Sequence, residues 1–173
     1  MGPRLRKLTL TAHTTCSVSW LGGVAAFIPL AVIGITSQQP QVVRTVDLGL
    51  DWIGWFVLVP LSLASLLTGV ILSLGTDWGL FRHYWVLAKL ALNVFGSGAL
   101  LEYMLQLDNT MRGEGRMAGA GDMGLPRFVG ALAVLLVPVV LSVYKPRGVT
   151  PYGWWKQRQR RMVAMRQRRA PVE

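Results

Sequence analysis

The sequence predicts an all-α fold, an integral membrane four-helix bundle with both termini in the cytoplasm. Three observations predict it. Of 173 residues, 52% are hydrophobic and only 15% charged, and the mean hydropathy is positive, which is too apolar for an ordinary soluble domain. Apolar runs near 10–35, 52–74, 84–107 and 128–144 each reach the ~17–20 residues needed to cross roughly 30 Å of hydrocarbon. Basic residues also fall unevenly: Arg4, Arg6, Lys7, Arg82 and the nine Lys and Arg after Tyr144 share one side. The other side carries Arg44, Arg112, Arg116 and Arg127 among Asp47, Asp51, Asp108, Glu114 and Asp122. The positive-inside rule puts the first side in the cytoplasm.

The spans must be helices, because a sheet this short could not close and hide its edges from lipid. Span one follows a basic start as a signal peptide would, but its apolar stretch outruns a signal core and is followed by "SQQPQ", not by a small-residue cleavage site. It is expected to be retained. It contains Cys16, the only cysteine, so no intrachain disulfide forms. A short turn around Arg82 makes spans two and three antiparallel neighbours, and the Gly-rich stretch 108–126 is expected to be a mobile outer loop. Pro29, Pro60 and Pro138 lie inside spans and predict kinks. Gly22, Gly23, Ser62, Ser65, Gly69, Gly96, Ser97 and Gly98 are the expected packing seams, since close backbone approach drives helix association in lipid. Residues 1–148 form one membrane domain; 149–173 form a basic cytoplasmic tail.

Ionisable groups inside a span are costly and are therefore candidates for function. His13 shares a helical face with Ser17, Trp20 and Val24, and Lys89 shares one with Asn93, Gly96, Leu100 and Tyr103. Both lie a few residues inside the cytoplasmic edge, so a polar site between spans one and three, floored by Trp20, is expected. A neutral imidazole such as His13 suits a metal or haem iron, and Lys89 suits an anionic ligand, unless it snorkels to the headgroups. His83 lies about 120° around the helix from Lys89 and belongs to the interface with Tyr84 and Trp85. Glu102 lies roughly 20 Å beyond Lys89 and belongs to the outer half.

The net charge of +10 belongs to the flanking tails and not to a folded basic face, so nucleic acid is not the expected partner. The tail residues Lys156, Arg158, Arg160, Arg161, Arg166, Arg168 and Arg169 suit anionic lipid headgroups, at about 1 kcal/mol each near such a surface. No phosphate loop, zinc-spaced cluster or HExxH is present. Methionines, which could hold copper(I), do not cluster within a span.

The segments "TAHTTCSVSWLGG" (11–23), "LGTDWGLFRHYWVLAKLAL" (74–92) and "SVYKPRG" (142–148) resemble an uncharacterised family of bacterial four-span membrane proteins, which implies a place in the bacterial inner membrane. The excess of Arg over Lys, 14 to 4, fits a GC-rich bacterial genome. More distantly, a histidine early in span one followed by Trp and Gly-Gly, with a lysine early in span three, is similar to the CopD copper-resistance proteins and to the membrane-bound haem-containing protoporphyrinogen oxidases. That likeness implies His13 as a haem or metal ligand and Lys89 as a functional cation.

Three readings remain open from the sequence: a non-catalytic scaffold or accessory subunit, a b-type haem or redox bundle using His13, Trp20 and Lys89, and CopD-like metal handling. A homo-oligomer or a membrane partner subunit is compatible with all three. Of these, the scaffold is the leading expectation.

Overall fold

A computed structural model describes residues 2–75, 84–112 and 120–144, with 154–155, 158–159 and 162; of 120–124 only the backbone is considered. Helices α1 (Pro3–Thr36), α2 (Pro40–Ile53), α3 (Val59–Gly75), α4 (Tyr84–Met111) and α5 (Ala120–Tyr144) follow in order, with α2 and α3 joined by a π turn at Gly54–Leu58. Four helical runs are long and apolar enough to cross a membrane: Pro3–Thr36, Pro40–Gly75, Tyr84–Met111 and Leu125–Tyr144. Large apolar residues such as Leu67, Phe95 and Val143 face outward, as they do on helices that are apolar all round and lie in lipid.

Proline starts the first two helices. Pro3 and Pro40 occupy the first turns of α1 and α2, where a missing N–H costs nothing and the fixed φ suits the helix. Gln39, before Pro40, is extended, as the ring of a following proline requires. The connection between the two helices is therefore only residues 37–39. Further on, the N–H of Val59 reaches back to the carbonyl of Gly54, which widens one turn just ahead of Pro60, a residue that has no N–H for the carbonyl four residues before it.

Several boundaries differ from the sequence expectation. Span two was expected from Trp52, but its helix begins at Pro40. The added part is amphipathic, burying Val46 and Leu50 while carrying Arg44 and Asp47; its polar residues mask it from a search for uninterrupted apolar runs. Likewise the expected loop 108–126 is partly helical, since α4 runs to Met111 and α5 begins at Ala120. Pro126 joins Pro29 and Pro138 within a helix.

The contacts fix the topology. Helix α1 packs against α5 and α3, and α4 packs against α3 and α5, a four-membered ring with α1 diagonal to α4. His13, early in α1, meets Ser65 and Thr68, late in the run Pro40–Gly75, while Phe27, later in α1, stacks edge-on against Phe128 early in α5 at 5.2 Å between ring centroids. Neighbours therefore run antiparallel, and the start of α1 and the end of α5 lie at one end of the bundle, here called the terminal end. The opposite end, carrying residues 37–51, 103–112 and 120–128, is the loop end. Trp20, Val24, Phe27 and Ala31 form the buried face of α1, and meet Leu58, Leu100, Met104, Phe128 and Leu135 in one core.

Only some of the expected seams are seams. A Cβ on Gly96 would lie 3.3 Å from Trp20 and 3.6 Å from Leu135, and one on Gly23 would collide with Leu58. Ser62, Ser65 and Ser97 are buried. Gly22 and Gly98, by contrast, have nothing within 4 Å of a Cβ position. Helical residues one apart lie about 100° around the axis and residues two apart about 200°, so in the pairs Gly22–Gly23 and Gly96–Gly98 one member faces away.

Candidate functional site

At the terminal end a group of polar side chains ties α1, α3 and α4 together. His13 Nδ1 lies 3.0 Å from the Ser65 carbonyl and 3.1 Å from Thr68 Oγ1. A carbonyl can only accept, so Nδ1 carries the proton and donates it; Nε2 is left with its lone pair. Thr68 Oγ1 donates to the Ala64 carbonyl at 2.6 Å, and so accepts from the imidazole. The ring comes close to α3 because residue 69 is glycine: a Cβ there would stand 3.0 Å from His13 Cε1.

One turn deeper, Ser17 and Ser65 share a hydrogen bond of 2.8 Å between hydroxyls, and Asn93 Nδ2 donates to the same Ser65 Oγ at 3.3 Å. Ser65 thus joins three helices: its carbonyl holds His13 and its hydroxyl holds Ser17 and Asn93. It is itself almost wholly buried, at 1% exposure, while its three partners are half-buried.

Lys89 takes a different neighbour. Its Nζ donates to Ser142 Oγ on α5 at 2.5 Å and sits 4.5 Å above the Trp85 ring. Ser142 in turn donates to the Pro138 carbonyl at 2.8 Å. The charge of Lys89 remains within electrostatic reach of His13, but the expected direct juxtaposition of the two across spans one and three is not observed. Each is engaged by the antiparallel helix beside its own: α3 for His13, α5 for Lys89. The reason is the ring order, which makes α1 and α4 diagonal partners separated at this depth by neighbours that offer hydroxyls and a carbonyl.

Trp20, about two turns deeper than His13, fills the space between α1 and α4. It is 3% exposed and packs edge-on into the gap that Gly96 leaves on α4. Its Nε1, together with Asn93 Oδ1 and Ser97 Oγ, is buried with no hydrogen-bond partner among the described residues. The Lys89 stripe does face inward: Leu100 and Tyr103 are buried, Asn93 bonds Ser65 and Gly96 receives Trp20.

No protein-family model matches the chain, and no curated protein or solved structure is significantly similar to it. The remaining candidates are placed as follows. Glu102 is exposed and accepts a hydrogen bond from Gln106 at 2.8 Å, remote from Lys89 as its spacing requires. His83 lies outside the described residues, as do Lys156, Arg160, Arg161, Arg166, Arg168 and Arg169. Arg158 is exposed and lies 5.4 Å from the Trp154 ring centre. Among the described residues no three His, Cys, Asp or Glu side chains are grouped to hold a metal ion.

Sequence reasoning found His13 and Lys89 but missed their partners. Thr68 and Ser142 drew no notice, and Ser65 was noted only as a small residue. For Ser65 a signal existed: Ser62, Ser65 and Gly69 recur at helical spacing in an otherwise large-residue span, which marks the face that a neighbour's polar side chain can approach.

Proposed function

We propose that this chain is a multi-pass protein of the bacterial inner membrane, with both termini cytoplasmic, that serves as a non-catalytic scaffold or accessory subunit. The observation that carries this reading is the engagement of its intramembrane polar groups with one another: His13 with Ser65 and Thr68, Ser17 and Asn93 with Ser65, and Lys89 with Ser142. In lipid such bonds hold helices together, and side chains so engaged serve assembly first. The basic tail then holds anionic headgroups, with Trp154 and Trp155 at the interface, and a second copy or a membrane partner subunit completes the assembly.

A second reading, a b-type haem bundle, is favoured by one specific observation. The imidazole of His13 donates Nδ1–H to a backbone carbonyl, the arrangement that fixes the tautomer of metal-bound histidines and leaves Nε2 as the ligand atom. The resemblance to the haem-containing oxidases points to the same residue. One experiment separates the two: the absorption spectrum of the full chain purified in detergent from haem-replete cells. A colourless protein, with His13→Ala altering only thermal stability, supports the scaffold. A Soret band that disappears in His13→Ala overturns it in favour of haem.

A further inference from the structure

The outer face shared by α4 and α5 carries charge where a membrane helix ordinarily presents apolar side chains. Glu102 lies within the membrane-crossing run Tyr84–Met111 and Arg127 within Leu125–Tyr144, and both are exposed. Leu100 and Glu102 are two residues apart, about 200° around the helix; Leu100 is buried, so Glu102 points away from the core. Its height is fixed by its neighbour Tyr103, whose ring meets Phe128 at 5.0 Å between centroids, level with the aromatic part of the core. Gln106 joins the two charges: its Nε2 donates to Glu102 Oε1 at 2.8 Å, and its Oε1 accepts from Arg127 Nη1 at 2.6 Å. Neither charge is in a direct ion pair among the described residues, where the one ion pair joins Arg112 to Asp108.

The same face is notched. Gly98, about one turn before Glu102 on α4, has nothing within 4 Å of a Cβ position, and neither has Gly130 on α5. Gly130 lies about 200° around its helix from the buried Phe128, so it opens outward, one turn from Arg127. Phe95 and Leu105, both exposed, flank Gly98 and Glu102 along α4.

Ionisable residues within membrane spans are costly, and almost always face a protein interior and pair with one another. This face holds an acid and a base of opposite sign, joined by one amide and so close in height. A two-fold axis along the membrane normal sets such a face against itself, so that a contact made by one residue with a second is repeated in reverse. The base of each copy then meets the acid of the other, and the two glycines let the backbones come close. We infer that Glu102, Gln106 and Arg127, with Gly98 and Gly130, form the contact surface for a second copy of this chain, held by reciprocal Glu102–Arg127 ion pairs. A foreign helix would need its own acid and base at matching heights; a second copy has them by symmetry. The inference rests on the membrane location given in the proposed function and chooses the second copy over a partner subunit; the haem question at His13 does not enter it.

The test uses the full chain reconstituted in vesicles of phosphatidylcholine and phosphatidylglycerol, with copies labelled at the N-terminus by a donor or an acceptor fluorophore. Energy transfer is followed as the protein is diluted in lipid, and the parent should follow a monomer–dimer equilibrium. Glu102→Arg and Arg127→Glu, which leave two bases or two acids on the face, should each weaken association more than about tenfold. Mixed together, donor on one variant and acceptor on the other, they should associate within about threefold of the parent, a repair that a contact confined to one chain cannot give. Gly98→Leu should weaken association about tenfold by holding the backbones apart, whereas Leu67→Ala, on the outward side of α3, should leave it unchanged. Helical circular dichroism in the same vesicles confirms that the variants fold. No transfer from the parent above random proximity, transfer that survives both charge variants, or single variants that fail to associate on mixing would overturn the inference. A colourless preparation without transfer sinks the second copy and leaves the scaffold reading standing; transfer from a preparation with a Soret band does the reverse.

Discussion

Replacing Ser65 by Ala removes one oxygen from the most connected position in the terminal-end group and leaves the backbone carbonyl that holds His13 in place. The change is close to isosteric, so no cavity of consequence arises. What is lost is the hydroxyl that bonds Ser17 at 2.8 Å and Asn93 at 3.3 Å. Hydrogen bonds between membrane helices average about 0.6 kcal/mol, with a maximum near 1.7, and a buried partner left unsatisfied costs about 1–3 kcal/mol. The shorter bond to Ser17 should dominate, so Ser65→Ala should cost about 1–3 kcal/mol. Equilibrium unfolding of the full chain in mixed micelles, titrated with a denaturing detergent, measures it. A double-mutant cycle with Ser17→Ala then isolates the pair: the combined variant should be less damaging than the sum by about 0.6 to 1.7 kcal/mol. If Ser65→Ala is neutral, or if the two changes simply add, the hydroxyl does not join these helices and the role given to Ser65 is wrong.

Other substitutions probe the packing. Gly96→Val should destabilise by about 1–3 kcal/mol, because its side chain would displace Trp20 and Leu135; the same unfolding assay reads it. Gly98→Ala and Gly22→Ala, which meet open space, should leave stability unchanged or raise it by up to about 1 kcal/mol through helix propensity. Gly54→Ala should cost about 1–3 kcal/mol by overpacking against Met104, and most of that cost should vanish in a Met104→Ala background, a non-additivity that a four-variant cycle would detect.

The number of membrane-crossing helices and their approximate positions were legible because apolar runs of this length have few other uses. The start of the second helix was not, since Arg44, Asp47 and Asp51 interrupt its apolar face and amphipathic periodicity there competes with average hydropathy. The site was legible in half. His13 and Lys89 stand out as ionisable groups among apolar residues, and helix spacing names the residues that share a stripe with Lys89 but not the direction in which the stripe faces. What spacing along one helix cannot supply is which neighbour stands beside it. That depends on the cyclic order of the helices, and this order gave His13 to Ser65 and Thr68 and gave Lys89 to Ser142.

The wide turn at Gly54–Leu58 sets the phase of the longest helical run. From Val46 to Ser65, both buried, a regular helix would rotate by nineteen steps of about 100°, leaving the two about 100° out of line. One extra residue in a single turn takes up that difference and returns both to the same side. The carboxylates of one end and the serines of the other are therefore indexed to each other through that turn. Deleting a single residue within it would leave a continuous helix of nearly the same length, yet would swing one end by more than a quarter revolution against the other, so that Val46 and Ser65 could no longer both be buried.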